Sequence, residues 1–139
     1  MAGDYLNIGV VLRYLSRFTE SLESHKRGLA INNELKDRVR IARDYMGIAL
    51  VLNSMGEYKE ALDSHNKALD IHKELNNRVG MAGDHYNISF ILSRTNKKEA
   101  LKSLSNALTI LQEFEKQNNY HHPLIEQVNN TISYLTEEE

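Results

Sequence analysis

The chain has no cysteine and only one proline among its 139 residues. Without cysteine it forms no disulfide, no thiolate metal site and no cysteine nucleophile, and a reducing, intracellular setting suits such a composition. One proline and seven glycines leave little sequence for the turns of a β-sheet architecture. Such a composition favours long helices.

The chain also has little net charge and no long apolar run. The formal charge is −2, and Lys and Arg are scattered among Asp and Glu without a basic block. Nucleic acid is therefore not an expected partner, since it requires a clustered basic face. No run of about eighteen apolar residues is present, so no membrane span or membrane partner is expected. The start MAGDYLNIGV lacks the basic region of a signal peptide, and we predict a cytoplasmic protein.

What the sequence does contain is a repeat of forty residues. Residues 2–41 align with residues 42–81 without a gap and share sixteen identical residues. A third copy starts at Ala82 and slips by one residue near Asn96. A period of this length indicates stacked units that each contact mainly their neighbours. We predict one domain over residues 1–139, with repeats at about 2–41, 42–81 and 82–120.

Each copy divides into two helical segments. In the second copy, apolar residues recur at spacings of three and four over residues 42–55 and again over 58–75. Breaks are predicted at residues 54–56, where glycine favours a left-handed helix end, and at 76–77. The unit is therefore helix, short turn, helix, short turn.

Small residues recur where paired helices must approach closely. The equivalent sets are Gly9, Ala49 and Ser89; Ser21, Ala61 and Ala100; and Gly28, Ala68 and Ala107. The pattern A-x-D-Y-x-x-I-A-x-x-L-x-x-x-G-E-Y-x-E-A-L-x-x-H-x-x-A-L-x-I over residues 42–71 resembles the tetratricopeptide repeat. The links ELKDRV and ELNNRV resemble its forty-residue variety, found in LGN/Pins-type adaptors and in prokaryotic repeat proteins. The resemblance covers about residues 2–117. It implies an all-α fold, a right-handed superhelix of three helix–turn–helix repeats.

The end of the chain departs from the repeat. The third copy lacks the turn glycine, and Leu104 stands where the other copies have His25 and His65. After a polar break, Pro123 is suited to the first turn of a last helix, predicted over about 123–136. Its apolar face comprises Leu124, Ile125, Val128, Ile132 and Leu135. We expect this helix to cover the end of the stack.

The beginning of the chain coincides with an ordinary repeat position. Residues 1–4 recur without change at residues 81–84. The coincidence favours a piece of a longer array over a protein that starts abruptly. In either case the first helix pair is expected to leave an apolar face exposed, through which the chain could form a homo-oligomer.

Two apolar stripes run along the first helix of each copy. In the first copy, the stripe expected in the core is Tyr5, Ile8, Leu12 and Leu15. The second stripe comprises Leu6 and Val10, then Met46 and Leu50, then Tyr86 and Phe90. The polar residues beside the second stripe are Asn7, Arg13, Tyr14, Arg43, Asn53, Asn87 and Arg94. The resemblance implies that first helices line a concave groove.

These thirteen groove residues form an apolar floor with amide and guanidinium groups at its edges. Such a surface suits a peptide or helix with apolar anchors and some acidic character. The floor residues have two other interpretations, internal packing and self-association, and a solvated surface role is the alternative for the arginines. The carboxylate clamp of some tetratricopeptide proteins is not reproduced, because the middle copy has Gly47 where Asn7 and Asn87 stand in the others.

No motif indicates catalysis, a metal or a cofactor. His25 and His65 are equivalent by repeat, which assigns them to packing rather than to a metal site. No Ser-His-Asp order, carboxylate pair or phosphate loop stands out. We therefore predict a non-enzymatic protein-interaction module without cofactor that binds a protein or peptide partner. The alternatives are a self-associating scaffold and a sensory or regulatory segment of a larger signalling protein.

Overall fold

The computed structural model describes residues 2–137, and within that range every regular element is an α-helix. The helices are α1 (Ala2–Tyr14), α2 (Phe18–Leu35), α3 (Arg38–Ser54), α4 (Tyr58–Glu74), α5 (Arg78–Leu92), α6 (Lys97–Asn118) and α7 (Leu124–Glu137). The predicted all-α class of repeated helix pairs is confirmed. Met1, which the repeat equates with Met81, lies outside the described range.

The turns between helices contain one left-handed residue at a constant interval. Ser16, Lys36, Gly56 and Asn76 have positive φ and lie twenty residues apart. Only one of the four is glycine, although the left-handed region costs other L-residues about 1–2 kcal/mol. The predicted breaks at residues 54–56 and 76–77 are therefore real turns, and α2, α3 and α4 each span twenty residues together with one turn.

Three helices begin with a side-chain cap. The side chains of Asp37, Asn77 and Asn96 each accept a hydrogen bond from the backbone N–H three residues later, at 3.2, 2.8 and 3.2 Å. Such a cap satisfies one of the N–H groups that a helix leaves unpaired at its start. Asn96 has φ of −150°, so the turn of the third copy uses a cap instead of a left-handed residue.

The chain divides into two compact units, Met1–Ile71 and His72–Glu139. In the first unit, α1 packs on α2 and α3, and α2 packs on α3. Ser21 Oγ donates a buried hydrogen bond of 2.5 Å to the carbonyl of Gly9. The predicted close approach of helices at small residues is therefore confirmed at this contact.

The imidazole of His25 on α2 lies between two glycines of the first unit. A Cβ atom added to Gly9 on α1 would lie 2.6 Å from Nε2 of the ring, and one added to Gly47 on α3 would lie 2.5 Å from Cε1. Both distances are too short for a real contact, so the buried ring occupies the space that two side chains would need. Glycine at these positions is therefore a packing requirement.

In the second unit, α5 packs on α6, and α6 packs on α7. Its core comprises Ala82, Ala100, Leu104, Ala107, Leu111, Ile125, Val128 and Leu135. α7 begins directly after Pro123 and turns its predicted apolar face onto this core, with Leu124 and Ile132 packed against it. The face proposed from the sequence is the one that α7 buries.

The prediction for the core stripe of α1 is wrong at Ile8 and Leu15, which are 48% and 60% exposed. The equivalent of Ile8 in the second copy, Ile48, is only 5% exposed. α3 is covered on this side by α2, whereas none of the described residues provides a preceding helix for α1. Val11 repeats the contrast, being 56% exposed where Val51 is fully buried. The expected exposed apolar face on the first helix is therefore present.

Candidate functional site

The second stripe lies partly exposed on the first helices of the first unit. Leu6 and Val10 on α1, and Met46 and Leu50 on α3, are all half-buried. On the other side of α3, Ile48, by contrast, is buried. In the first unit the second stripe is thus separate from the buried side of α3 and leaves apolar surface available for a contact.

The polar groove residues of the first unit differ in exposure. Asn7, Tyr14 and Arg43 are exposed, and Arg13 and Asn53 are half-buried. The Arg13 guanidinium lies 4.7 Å from the centroid of the Tyr14 ring, a cation–π distance. The buried Oδ1 atom of Asn53 has no hydrogen-bond partner among the described residues.

The groove residues of the second unit lie on α5 and in the turn that follows it. The rings of Tyr86 and Phe90 pack edge to face with centroids 4.7 Å apart and planes at 76°. Phe90 is 42% exposed, Asn87 is half-buried and Arg94 is exposed. Tyr86 also packs against the core of the second unit, so the exposed part of the aromatic pair is mainly Phe90.

Three of the predicted groove residues meet around one cavity of about 200 Å³ in the first unit. We call it the basic pocket, and its lining residues are Gly3, Leu6, Asn7, Asn32, Arg40, Arg43 and Asp44. Leu6, Asn7 and Arg43 were predicted from the sequence. The other ten predicted groove residues do not line the basic pocket.

Asn32 and Asp44 form a buried pair at the basic pocket. Each is 1% exposed, and Asn32 Nδ2 donates to Asp44 Oδ2 at 2.6 Å. Burial raises the pKa of Asp44 above its ordinary value, while the hydrogen bond from Asn32 and the charge of Arg40 act in the opposite direction. Asn32 Oδ1 is buried and has no partner among the residues that the structure describes.

The two arginines of the basic pocket are on the first turns of α3. Arg40 Nε lies 3.5 Å from Asp37 Oδ2, so its charge is partly compensated at the helix start. Arg43 is exposed one turn further along. The basic pocket is therefore lined by two arginines together with the buried Asn32–Asp44 pair.

The buried pair recurs forty residues later as His72 and Asp84. His72 Nδ1 lies 2.5 Å from Asp84 Oδ2, and burial raises the pKa of Asp84 to about 6 against the lowering effect of the His72 hydrogen bond and charge. After the one-residue slip, the equivalent position in the third copy is Leu111, which is fully buried. The same junction thus has an Asn–Asp pair, a His–Asp pair and an apolar residue in successive copies.

Sequence reasoning missed Asn32, Arg40 and Asp44. The available signal was a pair of polar residues twelve positions apart that returns after forty residues. The larger ring also explains a neighbouring glycine: a Cβ at Gly80 would lie 2.7 Å from the His72 ring. Position 40 is the equivalent of 80, and there the smaller Asn32 leaves room for an arginine side chain.

A larger cavity of about 430 Å³ in the first unit was not expected from the sequence. Its apolar floor is formed by Leu29, Tyr45, Ile48 and Leu52, and its charged rim by Lys26, Glu60, Asp63 and Lys67. Lys67 Nζ lies 5.4 Å from the Tyr45 ring centroid. Because the rim contains both basic and acidic side chains, it does not favour an acidic ligand over a basic one.

The repeated histidines are buried, as the packing interpretation predicts. His25 and His65 are each 1% exposed. Burial lowers the pKa of both, that of His65 to about 4, and the nearby Arg13 adds to the effect at His25. Among residues 2–137, no group of three or more His, Cys, Asp or Glu residues is placed to hold a metal ion. None of the described helices is long and apolar enough to cross a membrane.

Comparison with known proteins points to one family. RapI in its apo form matches with a TM-score of 0.86 and 25% identity, over 99% of this chain and 48% of RapI. BtubC from P. vanneervenii matches with a TM-score of 0.83 and 16% identity, over 98% of this chain and 55% of BtubC. The chain thus spans about half the length of these two structures. None of the curated protein sequences is significantly similar to it. The family model of the tetratricopeptide repeat matches residues 3–74, just over half of the chain, and the chain therefore belongs to the tetratricopeptide-repeat family.

Proposed function

We propose that this chain is a non-enzymatic module that binds a peptide or helix of a partner protein along the second stripe of its first unit. Tetratricopeptide repeats generally mediate protein–protein interaction, and proteins of this fold are typically non-enzymatic. The observation that carries the proposal is the half-buried state of Leu6, Val10, Met46 and Leu50 beside the exposed Asn7 and Arg43. Apolar anchors next to amide and guanidinium groups suit a peptide chain.

The apolar anchors alone give only weak binding. Fully burying a Leu, Val or Met side chain contributes about 1.5–3 kcal/mol, and half-buried residues have gained part of that on folding. About 1 kcal/mol remains for each of the four anchors, against an association cost of about 4–15 kcal/mol. The polar groups beside the second stripe must therefore fix the position of the bound peptide along the stripe and supply a large share of the affinity.

The test is a double substitution, Met46→Glu with Leu50→Glu. Both residues are half-buried on one face of α3, so the helix is expected to form while the apolar anchors are lost. Affinity capture with the wild-type chain, followed by mass spectrometry, identifies the partner, and the double variant is expected to lose it. Far-UV circular dichroism checks that the helices persist.

A matched control lies on the same helix. Val39→Glu introduces one carboxylate of the same kind at an apolar residue that is 52% exposed and outside the second stripe. This control is expected to capture the partner as the wild type does. Equal capture by the wild type and the double variant would contradict the proposal.

The exposed face of α1 supports self-association as a second candidate function. Ile8, Val11 and Leu15 are 48%, 56% and 60% exposed and follow helical spacing. Such a face favours contact between copies of the chain. Light scattering over a concentration series tests this candidate, with Val11→Asp as the variant expected to abolish association. A wild-type monomer at every concentration excludes it.

A further inference from the structure

The basic pocket has the size of a single residue rather than of a cofactor. Its volume is about 200 Å³. Pockets for drug-sized ligands span about 300–1,000 Å³. An amino-acid side chain with its backbone amide is therefore a better match than a nucleotide or a prosthetic group.

The basic pocket is lined by donors and acceptors. Arg40 and Arg43 line it, and a carboxylate can accept charge-assisted hydrogen bonds from their guanidinium groups. Asn32 and Asp44 also line it, and their side-chain oxygens are acceptors, while one of the two N–H groups of Asn32 Nδ2 is engaged by Asp44. A carboxylate placed next to Asp44 would be repelled, whereas an N–H donor there would be attracted.

The buried carbonyl of Asn32 is a second, independent indication of a ligand. Asn32 is 1% exposed, lines the basic pocket and has no partner for Oδ1 among the described residues. Leaving a buried acceptor unpaired carries a desolvation cost. A ligand N–H that reaches this oxygen would recover that cost.

The forty-residue repeat provides an internal comparison. The scaffold residue Asp44 recurs as Asp84, but the equivalents of Arg40 and Arg43 are Gly80 and Gly83. The repeat architecture therefore does not require either arginine. Their presence only at the junction with the small Asn32 indicates a role other than packing.

We propose that the basic pocket binds an acidic residue, with its carboxylate at Arg40 and Arg43 and its N–H donor at Asn32 and Asp44. The chemistry is a carboxylate joined to a nearby N–H group. An aspartate or glutamate within a bound peptide supplies it with a backbone amide, and a free acidic amino acid supplies it with an ammonium group. The peptide source deepens the proposed function and rests on it.

The experiment is a titration of the isotopically labelled chain with four small probes, followed by amide chemical shifts in NMR spectra. The main probe is Nα-acetyl-L-glutamate N-methylamide, which carries both groups of a peptide-bound glutamate. The corresponding glutamine derivative lacks the charge, glutarate lacks the N–H donor, and free L-glutamate represents the free amino acid. Saturable shifts at residues 3–7 and 40–44 are expected with the capped glutamate, with at least tenfold weaker binding of glutarate and of the glutamine derivative.

The matched variants are Arg43→Gln and Arg27→Gln. Both remove one exposed arginine charge, but Arg27 is on α2 in an ion pair with Glu23, away from the basic pocket. Arg43→Gln is expected to weaken binding of the capped glutamate about tenfold, which corresponds to about 1.4 kcal/mol. Arg27→Gln is expected to leave the affinity for the capped glutamate unchanged. The comparison separates a specific contact of Arg43 from a general effect of the positive charge of the chain.

Each outcome has one meaning. Tighter binding of the capped derivative assigns the site to a peptide, and tighter binding of free L-glutamate assigns it to an amino acid. Equal binding of glutarate, equal binding of the glutamine derivative, an unaffected Arg43→Gln variant or no binding overturns the proposal. These failures are independent of partner capture by Met46 and Leu50, so the proposed function can stand when the basic pocket fails.

Discussion

Replacing the buried His65 by leucine should remove a large part of the chain's sensitivity to acid. The ring is 1% exposed, and its Nδ1 atom has no hydrogen-bond partner among residues 2–137. Burial lowers the pKa of His65 from 6.5 to about 4. The third copy already has a fully buried leucine, Leu104, at the equivalent position. His65→Leu therefore introduces the residue type that the third copy already buries at the equivalent position.

The size of the effect follows from linkage between protonation and folding. As the pH falls below 6.5, His65 takes up a proton in the unfolded chain but stays neutral in the folded chain until the pH approaches about 4. The free energy of unfolding is therefore unaffected by His65 well above pH 6.5, and it falls progressively as the pH drops from 6.5 to about 4. A shift of this size corresponds to a loss of about 3 kcal/mol, a large part of a typical domain stability of about 5–15 kcal/mol.

The assay is urea unfolding at a series of pH values, followed by far-UV circular dichroism. Between about pH 7 and about pH 4, the wild type is expected to lose about 3 kcal/mol more than His65→Leu. Burial also lowers the pKa of His25 and of His85 on α5 and raises that of Asp84, and because these groups are present in both proteins, the difference between the two curves isolates His65. At neutral pH, the variant is expected to be at least as stable, because a buried nitrogen without a partner has been removed.

A surface histidine provides the control. His121→Leu makes the same exchange at a side chain that is 52% exposed, and the surface pair with Glu115 that it removes is worth less than about 1 kcal/mol. The reciprocal variant, Leu104→His, is expected to add acid sensitivity to the third copy. Parallel curves for the wild type and His65→Leu would refute the reasoning.

Three further substitutions test packing and capping. Gly47→Ala is expected to destabilise the chain by about 1–3 kcal/mol because its Cβ meets the His25 ring at 2.5 Å. In a His25→Ala background the same change is expected to stabilise by about 1 kcal/mol through helix propensity, and a double-mutant cycle in urea shows whether the sign reverses. Asp37→Ala removes the cap of α3 and is expected to cost about 1 kcal/mol in thermal unfolding, so an unchanged Tm would count against the cap. Leu111→Ala is expected to cost about 2–5 kcal/mol because the residue is fully buried, and a loss below about 1 kcal/mol in urea would contradict its place in the core.

The sequence was sufficient for the helices and turns because these depend on local periodicity. The breaks near Gly56 and Asn76 follow from turn chemistry alone, and the face of α7 follows from spacing. The exposure of Ile8 was not predictable in the same way, because an apolar residue at helical spacing is buried only if another helix covers it. Repeat identity alone therefore overestimates burial at the first helix.

The basic pocket required the folded structure. Asn32 and Asp44 are on different helices, and only the packing of α2 on α3 brings their side chains to 2.6 Å. The room for Arg40 depends in turn on the size of the residue at position 32, as the His72–Gly80 contact shows. Leu6, Asn7 and Arg43 were found by pattern, but Asn32, Arg40 and Asp44 were not.

The regular turns also make the chain divisible at defined points. Lys36 and Asn76 are both left-handed, and each is followed directly by a capping residue, Asp37 and Asn77. Excision of residues 37–76 would join Lys36 to Asn77 and recreate a left-handed residue followed by a helix cap. It would also bring Asn32 into register with Asp84, an amide–carboxylate pair of the kind already present at the first junction. Gain or loss of a whole helix pair in such a gene would therefore leave both the turn and the buried polar contact intact.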